Sequence, residues 1–492
     1  MKFTLTSLFN SCLILIIGAS IGCTNQPKSI YSNEARLLYN VQIVDVEQGA
    51  LMKDNAILID SGLIQKIGTL ESLKQQIPEN QQQDFNGKYV IPGLWDMHVH
   101  IEGEDLVPDN KDLLNIYLSY GITTVRDAAS DLGDTVLVWR DKINNGQMNG
   151  PRIFTAGRKL EGINSIWKGD LEIENVEELD QMLNWLESKQ VDFIKITENT
   201  LKADLFIESI KRAGAKGFKV SGHVPYDATI QQLVDAGFSS IEHASYMLRL
   251  GSDESTIVKQ INNDELTKEE ANDYYLENFD QEKAIENYKK LAKAGVAVTP
   301  TLIGGKQLAY LDEDDHQGDD YLKYLTAIFK SKYQWRIDRM ANDTEEDKLK
   351  RKERYQLIAA QVPHLQKAGV LLLAGSDAAA LNTFVYPALS LHEELTLFQK
   401  AGMTPSEILK TATINGAMFM EKEKETGTIS ENKVADLVIL SSNPLEDIAA
   451  TQDIYAVVQD GEILDRAALD SLQEYVIQHR TILDSERKDI EQ

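Results

Sequence analysis

Short runs with the two-residue period of β-strands occur near both ends of the chain. They fall at 38–45, 55–59 and 63–67 in the first part, and at 435–440 and 454–458 near the other end. Asp60-Ser61-Gly62 is typical of a tight hairpin turn between two of them. Because an isolated three-stranded piece is only marginally stable, we expect residues 35–90 and 425–465 to pair into one discontinuous β-sandwich domain.

The middle of the chain, residues 91–424, alternates apolar strand-like runs with helical patterns such as 176–189 and 228–236. Eight strand candidates lie at 89–100, 122–128, 152–156, 192–197, 219–224, 240–245, 297–302 and 371–377. This alternation predicts an α/β fold with a parallel sheet, and eight units predict a closed (β/α)8 TIM-like barrel. An open doubly wound sheet is the rival, but no phosphate-binding glycine loop follows the first strand.

Two long connections interrupt the predicted barrel at residues 250–291 and 304–361. Both are charged, favour helices and carry aromatic residues, and both follow strands at the end where barrels place their chemistry. We interpret them as lid helices over the barrel mouth, with passive surface decoration as the alternative. Residues 466–492 are predicted to form a C-terminal helical tail.

The N-terminal segment is typical of a targeting signal and is excluded from fold reasoning. Its apolar run at 12–18 is shorter than the roughly 20 residues that span a membrane. Ser20-Ile21-Gly22-Cys23 resembles a bacterial lipoprotein cleavage site, which makes residues 1–22 a signal peptide and Cys23 the lipidation point. Residues 23–34 are then a polar tether. We expect export to the periplasm or cell envelope with a lipid anchor; an ordinary signal peptide or short anchor is the alternative.

Composition and charge argue against some classes of function. Of 492 residues, 42% are hydrophobic and 26% charged, which is typical of globular proteins. A formal net charge of −27 argues against nucleic-acid binding, because a phosphate backbone would be repelled. Both cysteines, Cys12 and Cys23, lie in the leader, so the folded body offers no thiol for metal binding or nucleophilic catalysis.

Two histidines one residue apart end the first predicted barrel strand. The run Val90-Ile91-Pro92-Gly93-Leu94-Trp95-Asp96-Met97 leads directly into His98-Val99-His100. Side chains at positions i and i+2 of a strand project from the same face, so both imidazoles can reach one ion. Alone, this spacing is a weak signal that also fits two histidines in a hydrogen-bonded turn. Further candidate ligands at other strand ends strengthen the interpretation as a metal site.

The other candidate ligands each lie at the end of a predicted strand. His223 and His243 follow the fifth and sixth strands, and Asp377 follows the eighth. Lys195 lies inside the apolar fourth strand, where an ammonium group must be paired, neutralised or modified. Carbamylation by carbon dioxide would convert this lysine into a bidentate oxygen ligand, and a salt bridge to a barrel carboxylate is the alternative. A lone histidine or aspartate at such positions is more often structural.

Imidazole and carboxylate ligands without thiolate suit zinc, and also manganese, iron or cobalt. Zinc is our first choice. We predict two divalent cations bridged by the carbamate of Lys195 and by hydroxide, at the separation of about 3.5–4 Å typical of two-metal hydrolytic sites. One cation and the bridge would generate hydroxide while the other polarises a carbonyl.

These motifs together resemble the amidohydrolase superfamily, in the branch of imidazolonepropionase-like proteins and carbamylated-lysine Xaa-Pro dipeptidases. The resemblance rests on the 92–100 segment, on Gly121-Ile122-Thr123-Thr124-Val125-Arg126-Asp127 and on the returning segment 427–438. It implies that His98, His100 and Asp377 bind one metal ion and that His223 and His243 bind the other. It also implies that Lys195 bridges the two ions and that Asp377 moves the proton from the attacking hydroxide to the leaving nitrogen.

The predicted function is hydrolysis of an amide bond by a metal-bridging hydroxide, with a dipeptidase of Xaa-Pro type as the candidate. A cyclic amidase or a deaminase of the imidazolonepropionase-like type is the alternative on the same scaffold, and a catalytically silent binding protein is another. Weak candidates for substrate contacts are Tyr226, Arg126 and Arg158. The expected partner is a small molecule or dipeptide. The oligomeric state, a homo-oligomer included, stays open.

Overall fold

A computed structural model describes residues 31–490 of the chain. The predicted signal peptide at 1–22 and the predicted lipidation point Cys23 lie outside these residues. Export and lipid anchoring therefore stay predictions. Within residues 31–490, no helix is both long enough and apolar enough to cross a bilayer.

The strands of the described residues are short in the barrel and longer near the chain ends. In order they are β1 Arg36–Asp45, β2 Ala50–Leu51, β3 Ala56–Asp60, β4 Leu63–Gly68, β5 Gln82–Pro92, β6 Leu94–Val99, β7 Ile122–Asp127, β8 Arg152–Thr155, β9 Leu160–Gly162, β10 Leu171–Ile173, β11 Ile194–Ile196, β12 Val220–Gly222, β13 Ser240–Glu242, β14 Ala297–Thr299, β15 Leu437–Leu440, β16 Ile454–Gln459 and β17 Glu462–Leu464.

The helices lie between the barrel strands and after the last strand. In order they are α1 Leu70–Leu73, α2 Val107–Ser119, α3 Asp134–Asn144, α4 Val176–Ser188, α5 Ala203–Ala215, α6 Ile230–Ala236, α7 Glu254–Asn262, α8 Lys268–Glu277, α9 Gln281–Lys293, α10 Leu302–Ala309, α11 Ala327–Ser331, α12 Gln334–Met340, α13 Glu345–Ala368, α14 Leu389–Ala401, α15 Pro405–Thr411, α16 Ile414–Phe419 and α17 Arg466–Ile490. Five 3₁₀ turns of the described chain span Glu79–Gln81, Glu104–Leu106, Ala244–Gly251, Asp320–Tyr324 and Ile448–Gln452.

Parallel strands form a closed barrel, which confirms the predicted fold class. Strands β6, β7 and β8 pair in parallel, and so do β11, β12, β13 and β14. The Asp192 N–H donates to the Thr155 carbonyl at 2.9 Å and joins the two groups. Apolar side chains such as Val125, Ile194 and Val298 are buried between the strands and the helices around them.

The eighth barrel segment is irregular, whereas the sequence predicts a regular strand at 371–377. It makes two isolated parallel bridges, Leu372 with Val298 of β14 and Ala378 with Val99 of β6. Asp377 has a φ of 60°, which an extended pleated strand cannot contain. A Cβ added at Gly375 would lie 2.8 Å from the Cβ of His98, so this segment passes very close to β6. The ring still closes, because the Asp377 N–H donates to the His98 carbonyl at 2.7 Å.

The two chain ends build one β domain, as predicted. Its sheet has the order β17-β16-β15-β5-β1-β3-β4, with β2 paired to β1. The edge strand β4 contacts the C-terminal part of the domain, because the Ile64 N–H donates to the Lys433 carbonyl at 2.8 Å. The sheet thereby folds around its own apolar cluster, which includes Leu38, Ile57 and Val458.

Both long connections are helical, in agreement with their sequence pattern. Helices α7–α9 follow β13, and α10–α13 follow β14. Residues of α10, α12 and α13 line one cavity together with His243 and Asp377. The second connection therefore covers the barrel mouth, and we call residues 302–368 the lid.

Candidate metal centre

Six candidate ligands converge at the carboxyl end of the barrel strands. His98 lies on β6 and Lys195 on β11, while His223 and His243 immediately follow β12 and β13. His100 and Asp377 lie just beyond β6 and on the closing segment. Parallel strands bring their carboxyl ends to one face of a barrel, which explains why residues far apart in sequence meet.

The first group consists of His98, His100 and Asp377. The Nε2 atoms of the two histidines are 3.3 Å apart. Asp377 Oδ1 lies 3.4 Å from His98 Nε2 and 3.3 Å from His100 Nε2. These three ligand atoms form a compact donor set, with His98 fully buried and the other two side chains partly exposed.

The second group is the pair His223 and His243, whose Nε2 atoms are 3.1 Å apart. The ring of His243 lies 5.1 Å from that of His98, centroid to centroid. Asp377 Oδ2 is 4.0 Å from His243 Nδ1. Asp377 therefore contacts the first group directly and lies beside the second.

A hydrogen-bond partner outside the centre holds the Nδ1 atom of each histidine. Nδ1 of His98 contacts Glu242 Oε2 at 2.7 Å, and Nδ1 of His100 contacts the Ala129 carbonyl at 3.1 Å. The other two contacts join His223 to Glu198 Oε2 at 2.8 Å and His243 to Thr301 Oγ1 at 2.7 Å. Carboxylates and carbonyls only accept, so in His98, His100 and His223 the proton lies on Nδ1 and Nε2 is free to bind a cation. The Thr301 hydroxyl can donate or accept, so its contact orients the ring of His243 without fixing the tautomer.

The separation of the Nε2 atoms fits a shared cation. Two imidazole nitrogens that face each other at 3.1–3.3 Å repel unless a proton or a metal ion lies between them. Zn–N bonds of about 2.0–2.1 Å at a tetrahedral angle place two nitrogen ligands about 3.3–3.4 Å apart. Both histidine pairs match this spacing, so the residues present fit two small divalent cations.

Protonation at the centre is governed by burial and by Asp377. Burial lowers the pKa of His98 to about 4 and holds the pKa of His243 well below its usual range. Burial also disfavours charge on His100, but its hydrogen bond to Asp377 outweighs this and raises its pKa. Burial would raise the pKa of Asp377, yet the surrounding histidines keep it far below the usual value. The carboxylate is thus ionised and available as a ligand.

Lys195 is the most unusual of the candidates. Its side chain is 1% exposed, and Nζ has no hydrogen-bond partner among the described residues. Burial lowers its pKa to about 8, although the carboxylates of Glu242 and Asp377 act in the opposite direction. The alternative of a salt-bridged lysine is not realised in the described chain. Reaction of the neutral amine with carbon dioxide, with loss of a proton, would convert it into an anionic carbamate whose two oxygens can bind cations.

Arg126 lies inside the barrel and does not line the cavity above Asp377, so the weak prediction that it contacts a substrate finds no geometric support. The side chain is fully buried inside the barrel. Its Nε donates to the Met97 carbonyl at 2.6 Å, and Nη2 donates to both oxygens of Glu242 at 2.8 Å. Although burial would raise the pKa of Glu242, Arg126 and His98 hold it well below its usual range. Arg126 therefore orients His98 through Glu242.

The structure places the other two predicted substrate contacts outside the cavity that Asp377 lines. The hydroxyl of Tyr226 donates to Asn272 Oδ1 of α8 at 3.0 Å. Arg158 is half-buried and donates to the Gly169 carbonyl at 3.1 Å. Neither residue lines the cavity above Asp377, so their predicted role as direct substrate contacts finds no geometric support there.

Sequence reasoning missed the residues that hold the ligands in place. Glu198, Glu242 and Thr301 contact histidine Nδ1 atoms. Asp96 accepts from the Ser376 N–H at 2.9 Å and from its Oγ at 2.6 Å, which ties β6 to the segment bearing Asp377. Glu242 directly precedes His243 and Asp96 lies two residues before His98, and this proximity in sequence is the signal that could have found them. Thr301 offers none, because its contact depends on its left-handed φ of 49°.

Most of the chain is similar in sequence to known proteins. The sequence model described as "Amidohydrolase family" matches residues 89–464. The chain is 24% identical to ochratoxinase from Aspergillus niger over 468 residues, which covers 83% of this chain and 82% of that protein.

Two solved structures share the fold. A bottromycin amidohydrolase structure superposes with a TM-score of 0.70 at 19% identity and covers 91% of each chain. A Xaa-Pro dipeptidase with bound methionine superposes with a TM-score of 0.64 at 20% identity, over 88% of this chain and 100% of the other.

Proposed function

We propose, from the premise that this chain belongs to the amidohydrolase family, that it hydrolyses amide bonds with two divalent cations, zinc being the first choice. The observation that carries the proposal is the set of four histidines whose Nδ1 atoms each have an outer hydrogen-bond partner and whose Nε2 atoms converge in pairs. Such outer contacts fix the tautomer and the orientation of metal-binding histidines.

In this proposal, His98, His100 and Asp377 hold one cation, and His223 and His243 hold the other. Lys195 contributes after carbamylation: its neutral nitrogen forms a bond to the carbon of CO₂ and loses a proton, which leaves an anionic group with two oxygens. When bound, two divalent cations supply nucleophilic water near neutral pH and polarise a carbonyl oxygen.

Asp377 is the residue that we propose to move the proton. Oδ1 faces His98 and His100, whereas Oδ2 lies on the side of His243. The side chain is 18% exposed and lines the cavity, so a bound amide can approach it. Asp377 would accept a proton from the attacking water and donate it to the amine nitrogen as the C–N bond breaks.

The cavity suits a small substrate. Its volume of about 380 Å³ lies in the range of small-molecule sites. The names of the similar proteins include a Xaa-Pro dipeptidase and an ochratoxinase. We therefore propose a dipeptide or a similar small amide as substrate, with the Xaa-Pro dipeptide as the first candidate.

Metal content and Lys195 test the two-metal proposal together. We expect two equivalents of zinc per mature chain, with hydrolysis of some member of a dipeptide library. We expect Lys195→Ala to lower activity by roughly 100-fold or more, since loss of a direct ligand exceeds the 10–100-fold effect of outer contacts. Short carboxylic acids should restore part of the activity, because they can occupy the space of the carbamate.

Lys219→Ala is the matched control, because Lys219 precedes β12 at the opposite end of the barrel. A different result is possible: the protein binds one equivalent of metal, and Lys195→Ala leaves this metal content unchanged. That result would instead indicate a one-metal cyclic amidase or deaminase. A chain that binds no divalent cation would be a binding protein on the same fold.

A further inference from the structure

The cavity above the metal centre is lined by arginines of the lid. Arg336 on α12 and Arg351 and Arg354 on α13 line it together with Asp377. Asp377, a proposed metal ligand, is the single acidic residue among the described lining residues. The whole chain contains 77 acidic and 50 basic residues. A cavity with this excess of cations in so acidic a protein indicates recognition of an anion.

Two of these arginines form no ion pair within the described part of the chain. Arg351 forms an ion pair with Asp343 and is neutralised by it. In residues 31–490, the hydrogen bonds of Arg336 and Arg354 go to neutral acceptors, and neither side chain forms an ion pair. Arg336 donates through Nε to the Leu381 carbonyl at 3.1 Å and through Nη2 to Asn382 Oδ1. Both N–H groups of Nη1 and the second N–H of Nη2 are thus left for a ligand.

Arg336 is held at a fixed position relative to the metal centre. Its guanidinium lies over the ring of Trp335, at 5.2 Å from the ring centroid, and Trp335 Nε1 donates to the same Leu381 carbonyl at 2.7 Å. Asn382, which accepts from Arg336, donates through Nδ2 to the Asp377 carbonyl at 2.6 Å. One asparagine therefore connects the arginine to the backbone of the proposed proton-moving residue.

The remaining wall of the cavity is mainly apolar. Leu308 of α10, Met340 of α12 and Ile358 of α13 line it beside Tyr355. An anionic group bound at Arg336 would therefore belong to a molecule that also carries an apolar part. The planar, forked guanidinium suits a carboxylate best, because two parallel N–H···O bonds can form.

We infer that this cavity selects amides that carry a free carboxylate next to an apolar group, and that Arg336 binds the carboxylate with support from Arg354. The inference rests on the proposed function and names its substrate class: N-acylated apolar amino acids, including dipeptides with a free C-terminus. Arg336 is a specificity-determining residue in this scheme, and the lid is the element that recognises the substrate.

Matched substrates that differ by one charge test this inference. The probes are N-acetyl-L-phenylalanine, N-acetyl-L-leucine and N-acetyl-L-proline, each beside its carboxamide, with the zinc-loaded mature chain. We expect kcat/KM to be higher for the carboxylates, and Arg336→Gln to lower it by roughly 10- to 100-fold, mainly through KM. The carboxamides should change less than about threefold.

Further variants keep the test decisive if Arg336→Gln folds poorly. Arg354→Gln should show a smaller loss in the same direction. Arg339→Gln is the matched control, because Arg339 lies on the same helix and also stacks on Trp335 but is exposed and outside the cavity lining. Equal rates for carboxylates and carboxamides, or equal effects of Arg336→Gln and Arg339→Gln, would overturn the inference.

Calorimetric binding of the same probes separates this inference from the proposed function. If the wild type hydrolyses none of them, the proposed function loses support for this substrate class. Preferential binding of the carboxylates that Arg336→Gln abolishes would still support the anion site. Absence of such a preference would refute it.

Discussion

At the scale of single residues, the main feature is that every proposed histidine ligand is held from outside. His98 depends on Glu242, which in turn accepts from Arg126 and from Ser240 Oγ at 2.7 Å. This buried chain of contacts runs through the barrel interior. It explains how a charged arginine is accommodated there: the two carboxylate oxygens of Glu242 balance its charge.

Lys195 leads to a prediction about stability. A pKa lowered from 10.5 to about 8 means that the folded, metal-free protein disfavours the ammonium form. The penalty is fully present below pH 8 and is lost as the pH rises toward 10.5, because the unfolded chain then binds more protons than the folded one. We expect Lys195→Met to raise the free energy of unfolding of the metal-free protein by roughly 3 kcal/mol at pH 7, and by less at pH 9.5.

Urea unfolding of chelator-treated protein at both pH values measures this effect. Lys202→Met, at an exposed lysine, is the control and should change stability by less than about 0.5 kcal/mol. A Lys195→Met protein that is no more stable than the wild type, or a difference that does not shrink at high pH, would contradict the burial argument.

The convergence of the proposed ligand residues could be anticipated from sequence because strand ends of a parallel barrel meet at one face. This rule, together with their position at apolar runs, was sufficient to predict that three residues lie close together: His98, His223 and Asp377. Arg126 could not be placed, since the alternation of a strand does not reveal whether an inward side chain points to the mouth or to the interior. Arg336 was missed because it lies on a short helix of a long connection, where sequence periodicity does not determine which side chains face a cavity.

At the scale of elements, the short helix α12 joins the lid to the loop after the eighth barrel segment. Trp335 donates to the Leu381 carbonyl and packs edge-to-face on Trp167, with ring centroids 5.9 Å apart. Trp167 belongs to the connection between β9 and β10. The indole therefore links the lid to two different loops of the barrel mouth.

Removal of this indole should loosen the lid. We expect Trp335→Ala to raise KM by roughly tenfold with a smaller effect on kcat, because Arg336 loses the surface on which it stacks, a contact of about 1 kcal/mol or more. Steady-state kinetics and hydrogen exchange of residues 327–343 are the measurements. Trp185→Ala is the control, since Trp185 lies on α4 and outside the cavity. Unchanged exchange and KM would show that α12 does not depend on Trp335.

The eighth barrel segment shows where element prediction fails. Its apolar run Leu371–Ala374 has the composition of a buried strand. Close contact at Gly375 and the left-handed φ of Asp377 replace the regular ladder by two bridges. Local propensity cannot foresee this departure, because it arises from the close approach to β6 that puts Asp377 beside His98.

At the scale of the whole molecule, the β domain and the barrel are joined by a charged contact. Arg152 at the start of β8 lies 2.8 Å from Asp460 Oδ1 and 3.6 Å from Asp436 Oδ2. Burial raises the pKa of Asp436 to about 6, although Arg152 acts to lower it. The arginine thus compensates a carboxylate that is almost completely removed from water.

We expect Arg152→Ala to lower the free energy of unfolding by roughly 1–3 kcal/mol at pH 7.5, because Asp436 would keep a buried charge without a cation. A carboxylate whose pKa is raised by folding destabilises the protein above that pKa, so the loss should be smaller at pH 5. Denaturant unfolding at both pH values tests this, with Arg466→Ala as a control at the more exposed ion pair with Asp470. A larger loss at pH 5 would contradict the assignment.

The order of strands in the composite sheet has a consequence for how the protein is made. Strand β5 pairs with β15, and β15 is followed in the sheet by β16 and β17. While the chain emerges from the ribosome, one edge of Gln82–Pro92 therefore stays unpaired until Leu437–Leu440 has been synthesised. At about 5–20 residues per second, this synthesis takes roughly tens of seconds. Exposed edges recruit foreign strands, so the nascent chain passes through a period in which it needs protection from aggregation.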